Sequence, residues 1–405
     1  TRTIPMGISA MLAFNPELSD EDYSRLLKRD RGCVAVCDGT MCEAFMIPND
    51  MISNFEHLHY EEVEIKNKKV RKFTKEDAHN SKYENLNDII VFSLTRSIEL
   101  TNEVCNYLNI TPGKIMINHF ADGETLVELG ESVRGKKIYI IQSTSKPVNE
   151  SLMEVLICLD ALRRSSAGEI TCIIPYFGYA RQDRKAKARQ PISAKLVADL
   201  LTVAGANRIL CTDLHSAQIA GFFNIPFDDA TAMPLFFKYF EDLKLKDVCC
   251  VSPDHGGLVR TSRLAEKLNA PIAVIDKRRP EPNKAEVIGI VGDIKGKNCI
   301  IIDDIVDTAG TLCAAANKLV ELGAKSVYAA ISHGVLSKDA VDKINKSAIK
   351  ELIITDSIPL PENKKIDKIE VLSLAPLFAR IIGALEEGKS LSDVHQSFAQ
   401  EQYRK

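Results

Sequence analysis

Residues 299–311 read Cys-Ile-Ile-Ile-Asp-Asp-Ile-Val-Asp-Thr-Ala-Gly-Thr, from Cys299 to Thr311. The unbroken apolar row suits a strand buried on both faces. Asp303 and Asp304 then stand at its carboxyl end. Leu312, Ala315, Ala316, Leu319 and Val320 follow on one helical face, and Gly323 stops the helix. Between strand and helix, the backbone N–H groups and hydroxyls of Thr308, Ala309, Gly310 and Thr311 can face a phosphate, helped by the positive helix terminus. Gly310 allows close approach. Asp303 and Asp304 cannot hold phosphate themselves; they suit sugar hydroxyls or a divalent cation.

The same alternation extends outward from this stretch. Apolar runs occur at Ile89–Phe92, Ile138–Ile141, Thr171–Ile174, Ile209–Cys211, Val248–Val251, Ile272–Ile275 and Val327–Ile331, and helical patterns such as Leu152–Leu162 lie between them. Strands alternating with helices predict an α/β fold with mostly parallel sheets covered on both faces. An internal echo points to duplication: Pro175, Gly178 and Arg181 follow one run, and Pro253, Gly256 and Arg260 follow another. Two similar α/β domains are expected, over 88–232 and 233–405, with the site in the crevice between them at the carboxyl ends of strands. Residues 1–87 form an N-terminal extension of unassigned role. Ser19 and Asp22 predict a capped short helix ending near Gly32.

The chain has 405 residues, 52 Lys+Arg and 55 Asp+Glu, for a net charge of −3. The first 85 residues hold 12 and 15 of these, leaving 40 of each sign in the rest. A near-neutral body offers no global field for nucleic acid or a membrane, and no apolar run is long enough to span a bilayer. Eleven scattered cysteines form no secreted framework, so a reducing compartment is expected. Cys33, Cys37 and Cys42 with His57 and His59 match no usual zinc spacing, and ordinary packing is the better reading. Gly130 to Lys136 nearly spells a phosphate-binding Walker loop. Lys137 stands where a Mg²⁺-binding hydroxyl belongs and a strand follows, so that reading fails. Because it begins at Thr1, the chain is read as either a processed product or an artificially shortened one.

Other segments carry their own chemistry. Phe120 with Asp122, Gly123 and Glu124 pairs a stacking surface with acceptors for an exocyclic amine; an ordinary turn is the bland alternative. Arg181 and Gln182 sit in a cationic turn, and Arg can grip phosphate bidentately. His215 is a lone histidine after Asp213 at a strand end, as consistent with structure as with chemistry. Asp254 lies in a loop relaxed by Gly256 and Gly257. Lys277, Arg278 and Arg279 open a Pro- and charge-rich stretch through Asn283 that composition predicts to be a loop, readable also as a solvated charge run.

Taken together and in order, these motifs resemble the ribose-phosphate pyrophosphokinases over roughly residues 88–396; the 303–311 loop alone is shared with type I phosphoribosyltransferases. The resemblance implies two phosphoribosyltransferase-like domains and the reaction of ATP with ribose 5-phosphate to give 5-phospho-α-D-ribose 1-diphosphate and AMP, feeding nucleotide biosynthesis. It implies ATP contacts at Phe120, Asp122, Gly123, Glu124, Arg181, Gln182 and His215, with the Phe120 loop acting across a subunit interface. Ribose 5-phosphate would bind at Asp303, Asp304, Asp307, Thr308, Ala309, Gly310 and Thr311. Mg²⁺ would involve His215 and Asp254, a sparse set suited to an ion shared with substrate phosphates. Lys277 and Arg279 would be catalytic, reaching the transferring phosphoryl group from a lid.

The resemblance further implies a homo-oligomer of dimer units assembling to a hexamer, and a cytoplasmic setting, or an organelle should the N-terminus be processed. It implies inorganic phosphate as activator and ADP as inhibitor at a site including Ser132, Arg134, Lys185, Arg189, Asp228, Ser390 and Ser392. Ala217, Ala220 and Asn224 depart from the usual Ser or Pro, Gln and Asp, so an altered regulatory response is expected. A phosphoribosyltransferase would have no reason to carry the Phe120, Arg181 and Lys277 sets. A non-catalytic regulatory paralogue would be expected to show damaged positions, yet His215, Asp254, Lys277, Arg279 and 303–311 are intact.

Overall fold

The computed structural model describes residues 86–394 apart from 255, 282 and 283, together with residue 398 and six strand segments within the first 74 residues. In those six strands, and at residues 87, 277–281 and 284–288, the description is of backbone alone. Two compact units divide at Glu84 and Asn85.

The first unit contains β1 (Ile4–Met6), β2 (Ser9–Ala13), β3 (Gly32–Cys37), β4 (Cys42–Ile47), β5 (Tyr60–Ile65) and β6 (Lys68–Thr74). They form one sheet ordered β1-β2-β4-β3-β6-β5, antiparallel except for the β3–β6 pair. The helix expected between Ser19 and Gly32 lies outside the described residues, as do His57 and His59.

The second unit carries two separate sheets. In the first, β7 (Ile89–Ser93), β10 (Lys137–Ile141), β11 (Glu169–Ile174), β12 (Arg208–Thr212) and β13 (Phe227–Ala230) run parallel in the order β13-β12-β11-β10-β7. A two-stranded hairpin, β8 (Ile115–His119) and β9 (Thr125–Leu129), stands beside it. The second sheet comprises β14 (Val248–Ser252), β15 (Ile272–Glu281), β16 (Lys284–Val291), β17 (Asn298–Val306), β18 (Ser326–Gly334), β19 (Ile349–Thr355) and β20 (Ile369–Leu372). Its order is β16-β15-β14-β17-β18-β19-β20, parallel except for β15–β16. Cys299, Ile300, Ile301 and Ile302 are fully buried, which is the condition an unbroken apolar strand requires.

The helices are α1 (Ile98–Leu108), α2 (Val148–Arg164), α3 (Ser193–Ala204), α4 (Met233–Asp242), α5 (Leu258–Leu268), α6 (Gly310–Glu321), α7 (Ala340–Lys346) and α8 (Ala375–Glu386). The last, α8, packs on α1 of the first half. There Glu386 accepts hydrogen bonds from Tyr139 Oη at 2.7 Å and Lys137 Nζ at 3.0 Å. No helix among the described residues is long and apolar enough to cross a membrane.

Two local expectations need correction. Val320 does not share the buried face of α6: it is 41% exposed, while Cys313, Ala315, Ala316 and Leu319 are buried. Helical rotation carries position 320 past the edge of the stripe that 315, 316 and 319 define. The segment from Lys277 is not a loop but the continuation of β15, paired antiparallel with β16. The alternating stretch after Lys284 supplies the partner ladder. The register is irregular between Arg278 and Glu281, where Pro280 cannot donate a backbone hydrogen bond.

Candidate active site

The carboxyl ends of β12, β14 and β17 converge, because parallel strands present their following loops at one edge. Asp304 is buried and Asp303 half-buried at the end of β17. Asp304 Oδ2 lies 2.7 Å from His215 Nδ1, and its Oδ1 accepts from Arg260 Nη1 at 3.2 Å. The same guanidinium is 3.6 Å from Asp303 Oδ1, which accepts the Asp304 backbone N–H at 3.0 Å. Three residues on, Asp307 Oδ2 accepts from Arg181 Nη1 at 2.8 Å. The two arginines of the sequence echo therefore reach acids of the same strand and loop.

The electrostatics follow from these contacts. Burial and the adjacent Asp304 charge push the Asp303 carboxyl up. Burial acts to raise Asp304 too, but the His215 hydrogen bond and the Arg260 charge hold it well below the ordinary range. His215 is raised, first by its hydrogen bond to Asp304, against partial burial. An imidazolium donates to phosphate oxygens; only the neutral ring could offer Nε2 to a cation. Asp307 is also held low, since hydrogen bonds from Ser337 and Arg181 overcome its burial.

The 308–311 loop opens α6, whose first N–H groups lack intrahelical partners and point outward along the positive helix end. The special backbone here belongs to Ala309, at φ 58°, and not to Gly310. A Cβ at Gly310 would meet no atom within 4 Å beyond its chain neighbours and its own helix backbone, so packing does not require glycine there. Close approach of a ligand remains its rationale.

Asp254, exposed after β14, accepts the Gly257 N–H on Oδ1 at 3.0 Å, and its carbonyl accepts from Ser252 Oγ at 2.6 Å. Gln182 Oε1 accepts from Ser193 Oγ at the start of α3, and Gln182 N–H donates to Tyr179 O at 2.9 Å. Phe120 is 54% exposed at the tip of the β8–β9 hairpin, where Gly123 at φ 95° closes the turn and Asp122 Oδ1 accepts the Glu124 N–H at 3.1 Å. Among the described residues, no hydrogen bond or ion pair joins this tip to the His215–Asp304 cluster. Lys277 lies on β15 opposite Val287, and Arg279 falls within the irregular register.

The expected regulatory residues are dispersed among local contacts. Asp228 pairs with Arg208 at 2.6 Å, and Arg134 donates to Ser166 Oγ at 3.1 Å. Lys185 and Arg189 are exposed in the turn after β11, Ser132 is exposed before β10, and Ser390 and Ser392 are exposed after α8. Ala217 and Ala220 lie on a short 3₁₀ helix, Ala217–Phe222.

Arg260, Asp213, Ser332 and His333 belong to the site's framework and are absent from the sequence-derived site set. The Pro-Gly-Arg echo was the available signal for Arg260. Asp213 was visible as the strand-end acid before His215, whereas His333 carries no local pattern that marks it.

Among the described residues, no group of three or more His, Cys, Asp or Glu could cage a metal ion. Asp254 and the Asp303–Asp304 pair are hard oxygen donors. That sparse set fits Mg²⁺ held jointly with substrate phosphates and water, not a resident ion.

Comparison with known proteins completes the picture. The family model for the N-terminal domain of ribose phosphate pyrophosphokinase matches residues 89–205, and that for the phosphoribosyl synthetase-associated domain matches 260–396. The chain is 54% identical over 307 residues to a ribose-phosphate pyrophosphokinase of Caldanaerobacter subterraneus, covering 76% of this chain and 97% of the relative. It is 55% identical over 302 residues to that of Bacillus subtilis, covering 75% and 95%. The crystal structure of phosphoribosylpyrophosphate synthetase from Mycobacterium smegmatis superposes with a TM-score of 0.70 at 41% identity, over 74% of this chain and 99% of that one.

Proposed function

The chain belongs to the ribose-phosphate pyrophosphokinase family, and from that premise we propose that it transfers the β,γ-diphosphoryl group of ATP to ribose 5-phosphate. The products are 5-phospho-α-D-ribose 1-diphosphate and AMP. The observation that carries this reading is the direct contact between the two halves: Arg181 with Asp307, and His215 with Asp304. A group on ATP and a group on the sugar phosphate would meet there.

In this reading the 5-phosphate rests on the Asp307–Thr311 loop and the N-terminus of α6. Asp303 and Asp304 accept the ribose hydroxyls, which orients the ring. The anomeric hydroxyl releases its proton to solvent as its oxygen bonds to the β-phosphorus and the bond from that phosphorus to the AMP oxygen breaks. Arg181 and the His215 imidazolium hold ATP phosphate oxygens, and AMP departs carrying the bridging oxygen. Lys277 and Arg279, on the β15–β16 arm, add cations beside the moving group. Such placed charges lower a phosphoryl-transfer barrier without any covalent enzyme intermediate. When bound, Mg²⁺ would neutralise phosphate charge, with Asp254 and the Asp303–Asp304 pair as its protein oxygen donors.

The exposed Phe120 tip would serve ATP bound to a second copy of the chain, so a homo-oligomer completes the site. The eight cysteines whose side chains are described are free thiols, which supports a reducing, cytoplasmic setting. The test is AMP formation from Mg·ATP by the purified chain, with and without ribose 5-phosphate. AMP that does not depend on the sugar, or no AMP at all, would sink this reading.

A further inference from the structure

We propose that Ser332 and His333 are positioning residues, clamping the Asp213 turn so that His215 is held against Asp304. This rests on the reading of His215 as an ATP-phosphate contact.

The turn is unusual. Asp213 sits at φ 41°, in the left-handed region that a non-glycine residue seldom occupies. Such a conformation persists when its surroundings over-determine it. Its backbone N–H donates to Ala230 O at 2.9 Å, and its Oδ2 accepts the Ala232 N–H at 3.1 Å. The remaining contacts come from the other half of the unit. Ser332 Oγ donates to Asp213 Oδ2 at 2.6 Å. His333 Nε2 lies 3.0 Å from the carbonyl of Thr212 and 3.3 Å from that of Asp213. Both partners are acceptors only, so Nε2 carries the proton.

The rest of the imidazole is equally fixed. With Nε2 protonated, Nδ1 is the acceptor facing Ser357 Oγ at 2.8 Å; that hydroxyl also lies 3.1 Å from Ser332 O, which accepts from Thr355 Oγ1 at 2.6 Å. The edge of Tyr176 meets the ring at 5.1 Å between centroids. Ser332 and His333 are 1% and 2% exposed. Burial lowers the affinity of His333 for a second proton, in keeping with a neutral ring.

Register explains why this clamp acts on His215. Strands β17 and β18 pair in parallel, with Asp303 opposite Ile331 and Ile305 opposite His333. Asp304 and Ser332 are therefore neighbours across the ladder. One rigid pair of strands presents Asp304 to His215 and Ser332–His333 to the turn two residues before it. The spacing between the ATP side and the sugar side is thus set by hydrogen bonds to backbone carbonyls, not by the His215–Asp304 contact alone.

The test compares His333→Phe, His333→Gln, Ser332→Ala and Ser332→Thr in the full chain, with circular dichroism and thermal melting to establish folding. Misplacement of a reacting group by about 1 Å costs on the order of 100-fold. H333F is expected to lose roughly 10- to 100-fold in kcat and to raise KM for ATP, with KM for ribose 5-phosphate within about threefold. H333Q keeps an N–H donor for the two carbonyls and should recover to within about threefold of wild type. S332A, which removes a single hydroxyl, should lose about three- to tenfold, and S332T should restore it.

A second readout needs no turnover: hydrogen exchange of the Asp213 and Leu214 amides, which donate to Ala230 O and Asp229 Oδ1. In H333F and S332A both should exchange about tenfold faster or more as the turn loosens. If wild type makes no sugar-dependent AMP, the functional reading fails while this exchange still decides the clamp. Folded H333F and S332A with kcat within about twofold and unchanged amide exchange would overturn the proposal. So would a loss in H333F that H333Q does not repair, since that marks packing.

Discussion

His215 Nδ1 and Asp304 Oδ2 lie 2.7 Å apart, linking the carboxyl end of β12 to that of β17 across 89 residues of sequence. The contact makes each half of the unit incomplete without the other.

A pH-dependent stability follows from it. The His215 pKa is raised, so its contribution is full below about pH 6.5 and fades as pH rises through the folded value. The Asp304 pKa is lowered, so its contribution is present above about pH 4 and fades as pH falls toward the folded value. Because His215 is 40% exposed, solvent screening limits its share to about 1 kcal/mol or less. Urea unfolding of wild type and His215→Gln should differ more at pH 6 than at pH 8.5. A difference that grows at the higher pH would contradict the pairing.

The Arg181–Asp307 pair is 49% and 29% exposed and spans the ATP and sugar-phosphate loops. Surface pairs of this kind contribute about 0–1 kcal/mol to stability. Arg181→Ala should therefore leave the melting temperature within about 3 °C and raise KM for ATP about tenfold or more. Collapse of the fold with no kinetic effect in the surviving protein would assign the pair to structure alone.

Ala309 carries the left-handed backbone of the phosphate loop. An alanine pays about 1–2 kcal/mol there, offset in a glycine variant by unfolded-state entropy of about the same size. Ala309→Gly should be nearly neutral in stability and keep KM for ribose 5-phosphate within about threefold. Ala309→Val, β-branched, should raise that KM about tenfold and lower stability by about 1–3 kcal/mol. Steady-state kinetics on both variants decide it.

Asp356 anchors α8. Its Oδ1 accepts the Leu374 N–H at 2.8 Å, while its Oδ2 and Glu103 Oε2 both contact Ser373 Oγ, at 2.8 Å and 2.6 Å. A hydroxyl has one proton to give, so a carboxyl must carry another when both contacts hold. Burial, chiefly, pushes Asp356 up to about 7. That raised value gives stability that is full below about pH 4 and lost as pH rises to 7. Asp356→Asn removes the slope and should be about 1 kcal/mol more stable than wild type at pH 8. Equal stability differences at pH 5 and pH 8 would contradict the shared proton.

The parallel strands were legible in sequence because each is buried on both faces, as Ile300–Ile302 illustrates, and burial on two sides leaves an unbroken apolar run. The Asp303–Thr311 loop was legible because its chemistry is contiguous. The β15–β16 arm was not: Lys277–Arg279 reads as loop by composition, and only the distant partner strand makes it β. Arg260 and His333 were missed as site residues for a related reason. Their contacts lie 44 and about 120 residues away, to Asp304 and to Thr212 and Asp213, and no local spacing records such a pairing. Ala309 was legible as part of the phosphate loop, but its left-handed backbone was not, because that region ordinarily belongs to glycine.

The central claim is tested most directly by phosphorus NMR of the full chain with Mg·ATP and ribose 5-phosphate. AMP and 5-phospho-α-D-ribose 1-diphosphate should appear in equal amounts, with neither forming when the sugar is left out. ADP as the nucleotide product, or AMP released without a ribosyl diphosphate signal, would contradict the account.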